Sequence, residues 1–189
     1  MKDLIELALG YAGEKHSGQH RKNTKLPYIL HPMEAAVIAA SLTDDEEVIA
    51  AAMLHDTIED GGASAKEIRT IFGDRVAALV ASETEDKRRG IDPGITWKKR
   101  KEESLEELRS AADPGVKVLW LSDKLSNMRS FRRQFDAEGS DMWKRYNQSD
   151  PAMQEWYYRE IAKSLTGFES SYAFREYVSI IDYLFGRSE

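Results

Sequence analysis

From Val48 to Leu54 the chain reads Val-Ile-Ala-Ala-Ala-Met-Leu, and it then turns ionisable at once, as His55-Asp56-Thr57-Ile58-Glu59-Asp60. A helix that is apolar on every side has to be surrounded by other elements. Such a helix therefore delivers His55 and Asp56 into a buried region, where a carboxylate needs a partner or a metal. Glu59 lies four residues after His55 and Asp60 four after Asp56, so at helical spacing both carboxylates return to the face that carries the ligands. A cation fixed by His and Asp, with carboxylates beside it to handle a proton, is the minimum set for metal-assisted hydrolysis. An acidic helix end is commonly only a solvated surface. The apolar run before this one sets it apart.

The flanking sequence packs helices around that run. Leu4, Leu7, Ala8, Tyr11 and Ala12 form one core face of a first helix over about residues 2–18, stopped by Gly18. The segment from Asn23 to Tyr28 reads as a loop. Pro32 suits a first helical turn, which places His31 at the mouth of a helix over about 33–42. A histidine there fits a cap or core position as well as a ligand. Thr43-Asp44-Asp45-Glu46 reads as a capping box for the apolar helix, and Ser64-Ala65-Lys66-Glu67 as a second box, for a short helix to Phe72.

Gly73 separates that helix from one over Asp74 to about Glu85. A loop follows from Arg88 to Ile95, and Thr96 is placed to cap a charged helix reaching Ala112. Asp113-Pro114 opens the next helix. There Val116, Trp120, Asp123 and Asn127 share one face. Asp123 thus lies on a core stripe, either as a carboxylate satisfied by capping groups or an arginine such as Arg129, or as a fourth metal ligand. Helix continues from Arg129 to about Ala137 with a break. Trp143 and Tyr146 are core aromatics, and two further helices run from Asp150-Pro151 to Leu165 and from Ser170 to Phe185. No strand pattern of convincing length is present. The expected fold is all-α, a single domain of about eight to ten helices over residues 1–189, with core motifs in 16–130 and C-terminal helices in 150–186.

Charge and composition narrow the function. There is no cysteine, which removes disulfides, thiolate metal sites and cysteine nucleophiles, and fits the cytoplasm. The N-terminus mixes acids into its apolar positions, unlike a signal peptide. No apolar run approaches the ~20 residues that span a bilayer. A net charge of -6 argues against nucleic acid. Residues 87–101 nevertheless hold seven basic side chains against one acid, and 124–133 hold Lys124, Arg129, Arg132 and Arg133 with no acid. Local basic patches on an acidic protein suit a small anionic ligand better than a duplex.

The candidates are then His31, His55, Asp56 and Asp123, with Glu59 and Asp60 beside them. Two imidazoles and two carboxylates with coordination positions left over suit Mn²⁺, Fe²⁺ or Zn²⁺ better than Ca²⁺. Such a cation would bind phosphate oxygens and acidify a bound water.

On these residues the sequence resembles the HD-superfamily phosphohydrolases, through His31…His55-Asp56…Asp123. More narrowly, His55-Asp56-Thr57-Ile58-Glu59-Asp60 resembles the alarmone hydrolase domain of the RelA/SpoT-homologue family. Gly18-Gln19-His20-Arg21-Lys22 and Pro27-Tyr28-Ile29-Leu30-His31-Pro32 match its first block. Thr84-Glu85-Asp86-Lys87 and Leu121-Ser122-Asp123-Lys124-Leu125-Ser126-Asn127-Met128-Arg129 match later ones. The likeness is to the small stand-alone hydrolases and covers roughly residues 1–166, including Trp143-Lys144-Arg145-Tyr146 and Glu155-Trp156-Tyr157-Tyr158.

The resemblance implies an HD-type helical bundle in which His31, His55, Asp56 and Asp123 bind Mn²⁺ and Glu59 and Asp60 orient and deprotonate the attacking water. It implies that Arg21 and Lys22 contact the nucleotide, Arg21 packing against the base. Asn127 and Ser130 would hold the ribose and phosphate side, with Lys87 nearby. Ser122 and Ser126 depart from the residues usual at their positions, and Asn23-Thr24-Lys25-Leu26 lacks a common glycine. None of these replaces an implied ligand.

The expected activity is removal of the 3′-pyrophosphate from (p)ppGpp, the alarmone of the stringent response. With no synthetase region in this length, the expected direction is degradation alone. Alternatives are a phosphohydrolase acting on (p)ppApp or the 2′-phosphate of NADPH, a non-catalytic nucleotide sensor, and a nucleic-acid binder using residues 87–101. The expected partner is a small nucleotide, with no nucleic acid and no membrane; oligomeric state is left open.

Overall fold

Why the apolar run is buried is plain from what surrounds it in a computed structural model, which describes residues 3–22, 24–88 and 90–186. Lys2, Asn23 and Arg89, placed by the sequence in the first helix, a loop and a basic segment, lie outside the described residues. The described helices are α1 (Leu4–Lys15), α2 (Leu30–Ala40), α3 (Glu46–Leu54), α4 (Ala65–Phe72), α5 (Asp74–Ala81), α6 (Pro93–Ser110), α7 (Gly115–Glu138), α8 (Pro151–Ser164) and α9 (Tyr172–Phe185), with a 3₁₀ segment at Gly139–Arg145. The expected all-α fold is what forms. Among the described residues the only β pairing is an isolated antiparallel bridge between His20 and Pro27.

Two compact units are distinguished. The first is the stretch ending at Thr84 with Ala111–Asp123; the second is Glu85–Ser110 with the stretch beginning at Lys124. In the first, α3 is the central helix, packed by α1, α2 and α5. Every residue from Val48 to Leu54 is buried, which is why the run carries no polar face. The first half of α7 closes on it: a Cβ on Gly115 would sit 2.7 Å from Val48 Cγ2 and 3.3 Å from Leu79 Cδ2. That approach requires glycine where α7 begins. In the second unit, α8 packs on α6 and α9. The ring of Phe131 is met edge-on by Trp143, Tyr146 and Tyr158 at 5.0–5.7 Å, a geometry that aromatic quadrupoles favour.

Several element boundaries differ from the sequence expectation, each for a local reason. The cap of α3 is Asp45, whose carboxylate accepts from the Glu47 and Val48 amides; Thr43 instead accepts from the Asp45 amide at 3.1 Å. The second capping box, Ser64 with Glu67, forms as read. Helix α2 starts at Leu30, so His31 and Pro32 lie inside its first turn. Helix α5 ends at Ala81, short of Glu85. Helix α6 starts at Pro93 because Asp92 accepts from the Gly94 amide at 2.7 Å and proline suits the first helical position; Thr96 is buried within it. Helix α7 has no break near Arg129, since no glycine or proline follows Gly115 until Gly139. Gly139 then takes φ +61° and ends it.

Candidate metal centre

The apolar helix stops at Leu54, so residues 55–60 are a chain of turns rather than further helix. The turn is nonetheless tight. The Thr57 amide and hydroxyl both donate to the Leu54 carbonyl, at 2.9 and 2.7 Å, and the Asp60 amide donates to the Asp56 carbonyl at 2.9 Å. Gly61 passes so close that a Cβ there would meet the Thr57 carbonyl oxygen at 2.7 Å. The backbone bonds therefore fold the segment back on itself after Asp56.

His31 from α2, His55 and Asp56 from this turn, and Asp123 from α7 converge inside the first unit. Asp123 Oδ1 lies 2.9 Å from His31 Nε2 and 3.4 Å from His55 Nε2. Asp56 Oδ2 lies 3.1 Å from His55 Nε2 and 3.5 Å from His31 Nε2. The two Nε2 atoms are 3.2 Å apart. His31, His55 and Asp123 alone form a group whose donor atoms all lie within 4.8 Å of one another, the spacing a metal ion needs. Donors each about 2.0–2.2 Å from a common cation lie roughly 3.0–3.5 Å apart, which is the spacing among His31 Nε2, His55 Nε2 and Asp123 Oδ1, with Asp56 Oδ2 beside the two imidazoles. His31, His55 and Asp123 are buried, while the Asp56 side chain is 17% exposed, so Asp56 marks the solvent side.

The donor set also has the right electronic form. His55 Nδ1 donates to the Ala52 carbonyl at 2.8 Å, which leaves Nε2 as the atom facing the cluster, the usual arrangement for a ligating imidazole. Burial opposes charge on His55, but Asp56 and Asp123 together outweigh it and raise its pKa well above the ordinary value. Burial also opposes charge on Asp56, and His55 outweighs it there, holding the carboxyl well below the usual range. His31 moves the other way, with burial lowering its pKa. A proton on His55 thus supplies the positive charge that a cation would supply.

Glu59 is half-buried and Asp60 exposed. Asp60 is near enough for its charge to raise the pKa of the Tyr28 hydroxyl, after burial and Asp56, which raise it further. Tyr28 itself donates to Asp56 Oδ2 at 2.5 Å, and Gln19 Nε2 donates to the Asp60 carbonyl at 2.8 Å. Sequence reasoning gave neither residue a role, although both stand in the first motif block. The guanidinium of Arg21 sits 5.6 Å from the Tyr28 ring centre, and Lys22 is exposed.

Asn127 belongs to the second unit, where it lines a cavity of about 170 Å³ with Lys101, Lys124, Tyr146 and Tyr157. Lys87 and Ser130 are half-buried in the same unit, outside that lining. Lys101 stands in the basic run 87–101 and Tyr157 in the 155–158 stretch, but neither is a site candidate by sequence. The packing of α6 on α8 brings them to one cavity. Arg129, the alternative partner for Asp123, makes a two-pronged pair with Glu176 at 2.6 and 2.7 Å.

Comparison with known proteins gives the family. The HD domain family matches residues 8–147. The chain is 41% identical over 128 residues to the guanosine-3′,5′-bis(diphosphate) 3′-pyrophosphohydrolase of Aquifex aeolicus, covering 67% of this chain and 17% of that protein. It is 34% identical over 130 residues to a GTP pyrophosphokinase of Myxococcus xanthus, covering 68% of this chain and 17% of the relative. The chain thus spans about a sixth of the length of these curated relatives. The crystal structure of lmo0812 from Listeria monocytogenes superposes with a TM-score of 0.71 at 32% identity, over 83% of this chain and 99% of that one. A metazoan orthologue of SpoT, described as hydrolysing ppGpp, superposes with a TM-score of 0.77 at 24% identity, over 99% of this chain and 98% of that one.

Proposed function

We propose, from the premise that this chain belongs to the HD domain family, that it is a Mn²⁺-dependent hydrolase removing the 3′-pyrophosphate from (p)ppGpp-type alarmones. The observation that supports the reading is the closeness of His31, His55 and Asp123 in the first unit, with Asp56 Oδ2 beside the two imidazoles and His55 Nε2 turned inward. The similar Aquifex protein bears the name of this activity, which supports the choice of substrate.

His31, His55, Asp56 and Asp123 would hold the cation. Bound there, a divalent metal supplies Lewis-acid polarisation of a phosphate oxygen and acidifies water. Glu59 and Asp60 follow the ligands along the same turn. In this reading they orient the attacking water and take its proton, which favours carboxylates held close to the reacting atoms. Arg21 and Lys22 contact the nucleotide. Asn127, Ser130 and Lys87 hold its ribose and phosphates.

The test is a nucleotide panel in Mn²⁺ with the products identified. Guanosine 3′,5′-bis(diphosphate) should yield GDP and pyrophosphate, and a chelator should stop the reaction. Orthophosphate released only from NADPH, or turnover only of the adenine alarmone, would replace the substrate assignment. Binding without turnover would make the chain a sensor. Full turnover after complete metal removal would refute the whole reading.

A further inference from the structure

His16 is buried and has no place in the chemistry described so far. It caps the C-terminus of α1, its amide donating to the Ala12 carbonyl at 3.0 Å. Two residues on, Gly18 takes φ +76°, a conformation that costs glycine little. This reversal brings the Gln19 amide back to the His16 carbonyl at 3.1 Å and the Gln19 side chain to the His16 ring. A short hairpin then runs out and back, closed by the Tyr28 amide on the Gln19 carbonyl and the Arg21 amide on the Leu26 carbonyl, both at 2.9 Å. It lays the Tyr28 ring against His16 with 4.9 Å between centres.

The hydrogen bonds fix which nitrogen of His16 carries the proton. Gln19 Nε2 donates to the Asp60 carbonyl, so Gln19 Oε1 is the atom left to accept. It does so from His16 Nδ1 at 2.9 Å. The other nitrogen, Nε2, is buried with no hydrogen-bond partner. A desolvated bare lone pair is less costly than a desolvated unpaired N–H, and both leave an explanation owing. The explanation lies at the two ends of the contacts. Gln19 reaches the backbone of Asp60, and Tyr28 reaches the carboxylate of Asp56. One imidazole stands behind both.

We infer that His16, as its Nδ1–H tautomer, is a positioning residue for the 55–60 turn, clamping Asp60 through Gln19 and backing the Tyr28 that orients Asp56. The inference rests on the reading of that turn as the seat of the metal and the proton acceptors. Outer partners of this kind typically cost about 10–100-fold in metal affinity or activity when removed.

Three variants of the full chain separate the donor from the ring. Asparagine places its amide nitrogen where Nδ1 stood, so His16→Asn should keep Mn²⁺ affinity and kcat within about threefold. Glutamine places its amide at the Nε2 position, and phenylalanine keeps the ring against Tyr28 but has no donor. His16→Gln and His16→Phe should each lose at least about tenfold in kcat and in Mn²⁺ affinity, with KM within about twofold. Long-range ¹H–¹⁵N spectra of the unsubstituted protein without substrate should show the His16 proton on Nδ1.

An Nε2–H tautomer overturns the inference, as does a folded His16→Asn damaged as badly as His16→Phe, or a His16→Phe that behaves as the parent. Should the His16 variants not fold, Gln19→Leu removes the clamp with His16 intact, and must show the same losses for the inference to stand. If the unsubstituted protein hydrolyses no nucleotide, the proposed activity fails by itself. The tautomer and the Mn²⁺ affinities then still decide the role of His16.

Discussion

Asp123 and Asp56 are packed against two imidazoles, whereas Glu85 in the second unit is packed against a guanidinium and an ammonium. Glu85 accepts from Arg100 and Lys101, and its side chain is only 11% exposed. Burial opposes its charge, but Lys101 and then Arg100 outweigh burial and lower its pKa. That cluster sets Glu85 against permanent cations, Lys101 and Arg100 in contact and Lys124 nearby, and it is compensated at any ordinary pH. The cluster around His55 is two acids with two groups whose charge depends on a borrowed proton. Both clusters obey the rule that buried charge is paired. Only the second kind has donor lone pairs aimed at a common point and a proton that a metal can displace.

Substitutions should therefore separate the two regions. The largest effect is expected from His55→Ala or Asp56→Ala. Each removes a donor from the four, and hydrolysis should fall by at least about a thousandfold with loss of bound Mn²⁺. Steady-state rates together with metal analysis of the purified variants measure this, and metal retained at full stoichiometry in His55→Ala would break the comparison from the first side.

Next comes Glu85→Gln, which removes the mostly buried carboxylate that Arg100 and Lys101 donate to. It should destabilise the fold by about 3 kcal/mol while leaving Mn²⁺ affinity unchanged, as urea unfolding and calorimetric titration would show. Because the folded pKa of Glu85 is lowered, its contribution is complete above the ordinary glutamate value of 4.5 and is lost as pH falls through the lowered folded value. In Glu85→Gln that part of the acid-side loss of stability should be missing. A variant as stable as the parent at neutral pH would show that the ion pairs are ornamental.

The pH dependence of the metal centre should be different in kind. The raised pKa of His55 means that a proton and a cation compete for Nε2. Mn²⁺ affinity should fall as pH drops below that raised value, by about tenfold per unit for each proton displaced. Titrations in buffers of unequal ionisation enthalpy would detect the released proton, and a pH-independent affinity would count against the shared position. The smallest effect is expected at the cavity of the second unit. Asn127→Ala should raise KM about fivefold with metal binding intact, consistent with loss of a single neutral hydrogen bond of about 1 kcal/mol; an unchanged KM would remove Asn127 from the substrate contacts.

Much of this was legible along the chain. The unbroken apolar run from Val48 to Leu54 announced a central helix, because only enclosure on every side removes the need for a polar face. His31, His55, Asp56 and Asp123 were legible as candidates through their spacing and the helices that carry them. The turn at 55–60 was not legible as a turn. Helical spacing and a backbone folded back through Asp60 and Asp56 both place residues four apart near each other, so the pattern does not tell them apart. The starts of α3 and α6 were displaced because Asp45 rather than Thr43, and Asp92 rather than Thr96, accepts from the first-turn amides.

The sequence by itself determined that this is an all-helical chain with an encircled core helix ending in ligand-type side chains, since periodicity and residue chemistry are local properties. Only the tertiary structure decided that Asp123 closes on His31 and His55, that His55 turns Nε2 inward, and that His16 and Tyr28 stand behind the turn. Those outcomes depend on distances between segments remote along the chain, and they are set by how helices pack.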